Sequence, residues 1–426
     1  MNQFPQIKLS SGANVISGYA FKSQDLTKNK MDVPILKIAN VTSPVTTLVF
    51  EDHFPSEKIS DRIAKYIIRD GDVLVAMTGM GSVGRVSIVR GIRETVLLNQ
   101  RVGIVRGKQN VFDQQFLGCV LTNKHYEKIL YDLGVGAGQP NISPKDIGNL
   151  SVSLPPLVVQ KKIAAILTAY DELIENNQRR IALLEKMAGE IYREWFVRLR
   201  FPGHEKVKIV KGVPEGWKLV KLEHAFKFTG GGTPTKEVNR YWDGGDVNWF
   251  TPSDITGANG IFLERSGEQC TEEGLNNSSA KIFPAYSVML TSRATIGALG
   301  INLTPACTNQ GFITCIPNAQ YPLPYLYHWV KLAKPHFELL SGGATFAELT
   351  KGTFKRLEIL TPPEFIITEF MRIESPLFNS IENYLRANRK LIETRDMLLP
   401  RLISGKLSVE QLDILFPPGM EEAACV

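Results

Sequence analysis

Residues 157–200 read LVVQKKIAAILTAYDELIENNQRRIALLEKMAGEIYREWFVRLR, and no other stretch restricts the possible folds as much. Steps of seven from Ile163 give Tyr170, Asn177, Leu184 and Ile191, while steps of seven from Leu167 give Ile174, Ile181, Ala188 and Trp195. Two such rows form the narrow seam of a coiled coil rather than the wider stripe of a globular helix. Between Gln160 and Arg200 only Gly189 is a glycine or proline, so the spacing predicts a continuous rod of roughly 60 Å at ~1.5 Å per residue. A rod with so narrow a seam needs a partner helix.

A second run with the same period lies near the other end: Leu377, Tyr384, Leu391 and Leu398 in one row, Ile381, Asn388 and Leu402 in the other. Ser375 and Pro376 read as its N-cap and first helical residue, Arg395 breaks the second row, and Pro400 is expected to end or kink the helix. Asn177 and Asn388 both fall on the seam, where a facing pair of amides fixes register at some cost in stability.

A length of 426 residues is enough for two or three domains. No apolar run approaches twenty residues and no basic-then-apolar leader opens the chain, so neither a membrane span nor a secretory signal is expected. The five cysteines form no CxxC pair, which suits reduced thiols in a cytoplasmic protein rather than disulfides or zinc. The net charge of +6 is spread as +5 over residues 1–155, +2 over 156–200, +2 over 201–361 and −3 beyond. That excess sits outside the final helix, which would leave the C-terminal end free for a protein partner; an ordinary solvated surface accounts for the same distribution.

The sequence also repeats itself at an offset of about 210. GVGAGQPNISPKDIGNLSVSLPP (134–156) overlays SGGATFAELTKGTFKRLEILTPP (341–363) without gaps, pairing Gly136 with Gly343, Ala137 with Ala344, Ile142 with Leu349 and Leu150 with Leu357. Upstream, Asn99-Gln100 matches Asn309-Gln310, and Asp32-Val33 matches Asp246-Val247. A duplication of this kind has to be recognised before any fold is proposed. Each half is a domain of short β-branched runs, with strands expected at 72–76, 85–89, 287–291 and 311–315, helices at 115–133 and 325–340, and a long helix after Pro-Pro. The boundaries are residues 1–156 for the first domain, 157–200 for the central helix, 201–361 for a polar linker and the second domain, 362–407 for the C-terminal helix and 408–426 for a frayed tail.

With the repeat, ISGYAFKS (16–23), VPEGWKLVKLEHAF (213–226), SLPPLVVQKKIAAIL (153–167) and RDMLLPRLISGKL (395–407), the chain resembles the DNA specificity subunits of type I restriction-modification systems over nearly its whole length. The resemblance implies an α+β fold: two α/β target-recognition domains in tandem, separated by two long antiparallel coiled-coil helices. It implies a non-catalytic subunit that reads a bipartite site in double-stranded DNA, uses the helices as a ruler, and confers that site on two methyltransferase subunits and on restriction/translocase subunits. S-adenosylmethionine, ATP and magnesium then belong to those partners, with no cofactor or metal in this chain. The first domain departs from the pattern: it lacks a PEGW-like start, so its opening strand is expected to be trimmed or built differently. Two other readings remain, a specificity subunit serving a fused restriction-methylation enzyme and a coiled-coil scaffold with paired protein- or ligand-binding domains.

Gly79, Gly81 and Gly84 spell GxGxxG, but the alternating RVSIV that follows (85–89) reads as a strand, whereas a dinucleotide fingerprint needs a helix there. The tracts at Pro155-Pro156 and Pro362-Pro363 lack the amide or acid and the aromatic of an amino-methyltransferase motif, and no Walker loop or HExxH is present. DNA contact is the remaining chemistry, divided into phosphate contacts that position and base-edge contacts that specify. Residues identical in both halves cannot tell two different half-sites apart, so Asn99-Gln100 and Asn309-Gln310 read as shared loop scaffolding or as contacts to the DNA backbone. The candidates are polar loop residues where the halves differ: Lys22, Lys28, Asn29, Lys30, Arg85 and Arg101 in the first domain, and Thr235, Lys236, Arg240, Ser292 and Arg293 in the second.

Overall fold

The computed structural model describes residues 4–135, 140–341, 347–414 and 416. The repeat pairs Gly136/Gly343 and Ala137/Ala344 and most of the tail lie outside the described residues. The chain forms two compact units, Met1–Glu175 with Lys390–Val426 and Asn176–Arg389, so the division falls inside both long helices.

In the first unit, strands Ala13–Ser17, Val102–Gly107, Val73–Ala76 and Val86–Ile88 lie side by side in that order, all antiparallel. A smaller sheet places Val33–Leu36 between His53–Phe54 and Leu97–Leu98. Successive residues of Val73–Ala76 point to opposite faces, and both faces are covered. Val73 and Val75 pack on Phe116, Val120 and Leu130, while Leu74 and Ala76 join Leu36, Val102 and Ile104. This burial on both sides explains the unbroken apolar run.

The second unit repeats the plan with one strand added. Lys227–Gly230, Phe312–Ile316, Val288–Thr291 and Leu299–Asn302 follow the same order, and Phe262–Leu263 joins the far edge. Its small sheet again has a central strand, Val247–Phe250, between Glu268–Cys270 and Ala306–Thr308. The four strands expected from the sequence are all present, displaced by a residue at most. Gly79, Gly81 and Gly84, all at positive φ, link two antiparallel strands, which is the turn expected in place of a nucleotide loop.

Four expectations need correction. The opening strand of the first domain is intact: Gln6–Lys8 pairs antiparallel with Ser151–Ser153, as Lys218–Lys221 pairs with Glu358–Thr361. The helix expected over 115–133 is two helices, Gln114–Leu121 and Lys124–Gly134, because Asn123 caps the second by accepting from the His125 N–H. The C-terminal helix starts at Glu364, directly after Pro363, and runs to Ile403, so Ser375-Pro376 and Pro400 are interior. Burial of Ile366, Ile367 and Phe370 in its first turns outweighs the hydrogen bond that Pro376 forgoes. The central helix is α-helical over Leu157–Tyr192 and closes in a π turn, Arg193–Val197, short of residue 200.

Within each unit the two long helices pack antiparallel. In the second, Asn177 meets Asn388 and Arg180 meets Tyr384, one number rising as the other falls. In the first, Ile163 and Leu167 share a core with Leu398, Leu399 and Leu402.

Candidate nucleic-acid interface

Both units build one sheet edge in the same way. In the first, strand Ala13–Ser17 ends, strand Val102–Gly107 begins and strand Val73–Ala76 ends at the same level, so three loops leave together. The central loop is the turn Asn99–Arg101, where the Asn99 side chain accepts from the Arg101 N–H at 3.2 Å. Its neighbours flank it closely: Gln100 N–H donates to the Tyr19 carbonyl and Met77 N–H to the Arg101 carbonyl. In the second unit, Asn309 accepts from the Gly311 N–H at 2.9 Å, Thr233 donates its hydroxyl to the Gln310 side chain at 2.7 Å, and Ser292 N–H donates to the Gly311 carbonyl. The shared Asn thus builds the turn with its own side-chain oxygen.

Of the candidate residues, Lys22, Lys28, Asn29, Lys30, Arg85 and Arg101 are exposed, as are Thr235, Lys236, Arg240 and Arg293. Ser292 is the exception: it is buried at 3% exposure, so its hydroxyl is withdrawn from the surface and does not fit the exposed-loop expectation. Asn29 caps a local turn by accepting from the Met31 N–H, and Arg85 donates to the Gly81 carbonyl.

Sequence reading missed the acidic partners. Lys28 pairs with Asp52 at 2.8 Å and Lys37 shares the same carboxylate, and these hydrogen bonds hold Asp52 below the usual carboxylate range. Lys236 meets Glu268 at 2.7 Å, Arg240 meets Glu273 at 3.0 Å and Arg293 meets Glu348 at 2.8 Å. Lys236 also lies 3.6 Å from the ring centre of Trp242 and 4.5 Å from that of Trp249, a cation–π seat. The Trp249 indole N–H donates to the Gly232 carbonyl, and that of Trp242 to the Thr235 carbonyl, so the loop carrying Thr235 and Lys236 is pinned along its length. The ion pairs of Lys28, Lys236, Arg240 and Arg293 join residues tens of positions apart, and no local pattern signals them.

On the seam, the Asn177 amide donates to the Asn388 side-chain oxygen at 2.8 Å, with both residues buried. Arg395, the charged residue that interrupts the second row, meets Asp171 at 2.7 Å, and Arg90 reaches the same carboxylate at 3.1 Å. Among the described residues no group of three or more His, Cys, Asp or Glu side chains is placed to hold a metal, and no helix is long and apolar enough to cross a membrane.

Comparison with known proteins agrees with this duplicated plan. The family model described as the type I restriction modification DNA specificity domain matches twice, over residues 4–186 and 214–387. The chain is 26% identical over 415 residues to the type I restriction enzyme HindI specificity subunit of Haemophilus influenzae, covering 81% of this chain and 88% of that one. It is 33% identical over 199 residues to the MjaIX specificity subunit of Methanocaldococcus jannaschii, 46% of each chain. A crystal structure of a type I restriction-modification S subunit from M. genitalium shares the fold at a TM-score of 0.58 and 15% identity, covering 94% of this chain and 96% of that one. This chain belongs to the family of type I restriction-modification DNA specificity proteins.

Proposed function

We propose that the chain is the sequence-specificity subunit of a type I restriction-modification complex, each unit reading one half of a bipartite site in double-stranded DNA. The observation that carries this reading is the recognition edge built twice on one scaffold, the loops around Asn99 and Asn309, in a chain of this family. The turns are shared while the side chains around them differ, as two unequal half-sites require. Charged loop residues position the duplex through phosphates, and those that reach base edges in the major groove specify it.

Catalysis is assigned to the partners: two methyltransferase subunits and restriction/translocase subunits that bring S-adenosylmethionine, ATP and magnesium, with the assembly working in the cytoplasm. Binding of the assembled complex to duplex DNA across a salt series tests the DNA reading. A loss of affinity linear in log salt, steep enough for several phosphate contacts, is the expected result. Binding indifferent to salt would move the chain to the class of protein-binding scaffolds.

A further inference from the structure

In the second unit every cationic candidate at the recognition edge is already matched with a carboxylate: Lys236 with Glu268, Arg240 with Glu273, Arg293 with Glu348. All six side chains are substantially exposed, between 37% and 69%. Exposed pairs of this kind add little to fold stability. Their acidic members nonetheless engage the same ammonium and guanidinium groups that would neutralise a phosphate.

We infer, resting on the DNA reading above, that Glu268, Glu273 and Glu348 are specificity-determining residues that keep the second unit from gripping arbitrary DNA. Binding to a wrong sequence relies almost wholly on cations that neutralise phosphates. A cation held by a carboxylate contributes to that binding only after the carboxylate is displaced, and the displaced carboxylate then repels the backbone. A correctly seated duplex adds base-edge contacts that meet this cost, whereas a wrong one does not. The carboxylates therefore subtract more from non-specific than from specific affinity. Two of the three cations keep a further hold: the Lys236 ammonium over its two indole rings, and the Arg293 main chain through a backbone bridge to that of Glu348. Removing the acids would thus leave Lys236 and Arg293 in place and newly available.

The test uses the assembled complex with the wild-type chain, the triple variant E268Q/E273Q/E348Q, and a control, E215Q/E358Q/E364Q, that adds the same charge at exposed positions away from this edge. Affinities for a cognate and a scrambled duplex are measured across a salt series. The expected result is that the triple variant binds scrambled DNA about tenfold or more tightly, its log–log salt slope steeper by about 0.9 for each cation released, while the cognate-to-scrambled ratio falls and the control changes little. A scrambled-duplex affinity and slope equal to wild type, or a control that matches the triple variant, overturns the inference while leaving the DNA reading standing. Wild-type complex that binds neither duplex in a salt-dependent way overturns both.

Discussion

The recognition edges of the two units share a backbone and differ in how their charges are held. Around Asn309, the cations Lys236, Arg240 and Arg293 are each engaged by an acid, and Trp242 and Trp249 pin the loop. Around Asn99, Lys22, Lys30 and Arg101 carry no ion pair among the described residues, and Asp52 engages Lys28 together with Lys37. Tyr19, Phe21, Phe54 and Tyr66 take the place of the indoles as a cluster of rings 5.0–5.6 Å apart. Duplication has kept what builds the turn and changed what surrounds it, and such a division lets one scaffold read two different sequences.

The comparison breaks most sharply at Trp249, which is buried and pins the loop of the second unit only. Trp249→Ala is expected to cost about 3–5 kcal/mol and to erase the half-site read by that unit while the other is retained, measured by thermal unfolding and by mapping methylated motifs. Loss of both half-sites together would show that the edges are not independent.

The two cores also treat buried acids differently. Asp72 in the first unit is gripped by Arg106 through two hydrogen bonds of 2.6–2.7 Å, but Glu374 in the second lies 3.5 Å from His328, and among the described residues neither of its oxygens has a hydrogen-bond partner. Burial pushes the Glu374 carboxyl up to about 8 and the His328 imidazole down to about 3, so the pair is neutral over a broad middle range. A carboxyl with a raised folded pKa binds a proton that the unfolded chain has released. The carboxyl's contribution to the stability of this unit therefore falls as pH rises from about 4.5 towards 8, and the imidazole's falls as pH drops from about 6.5 towards 3. The two trends offset each other between about 4.5 and 6.5, so the net loss, on the order of a few kcal/mol, appears above about 6.5 and below about 4.5. Glu374→Gln should flatten the alkaline side in a pH series of melting temperatures, and an unchanged slope would place the titrating group elsewhere.

On the seam, Asn177→Ala deprives the Asn388 side chain of its 2.8 Å partner and is expected to cost about 1–3 kcal/mol, whereas replacing both amides by Leu should be near neutral in stability and should loosen register. Chemical denaturation of the single and double variants separates the two. If the Leu pair costs as much as the single change, the amides contribute stability and not register alone.

The smallest effect separates readers from positioners. Arg293→Ala should cost about 1–3 kcal/mol and relax one base position if its guanidinium reaches a guanine edge. Lys30→Ala should weaken all sequences alike and lower the salt slope by about 0.9, as loss of one phosphate contact does. A recognised motif unchanged at every position in Arg293→Ala removes that residue from the readout.

Much of the scaffold was legible because its signals are periodic or duplicated. The sevenfold rows put Asn177 and Asn388 on the seam, where the structure makes them meet; the repeat aligned Asn99 with Asn309, and the β-branched run after Gly84 argued against a nucleotide loop. Local signals misled where burial outweighed them: Ser375-Pro376 resembles a helix start, yet Ile366, Ile367 and Phe370 carry the helix back to Glu364. Ser292 reads as a polar loop residue, but the strand before it carries it into the interior. The acidic partners stayed hidden because Lys236 and Glu268, or Arg293 and Glu348, meet only through the folded sheet.

Whether this chain sets a two-part target is decided by a methylation map of a host genome carrying it with its modification subunit, set against the same host without this chain. The expected result is a new motif in two specified parts with a fixed unspecified gap, a gap that changes when residues are inserted into the central helix. An assembled complex that yields no two-part motif would overturn the assignment of DNA specificity to this chain.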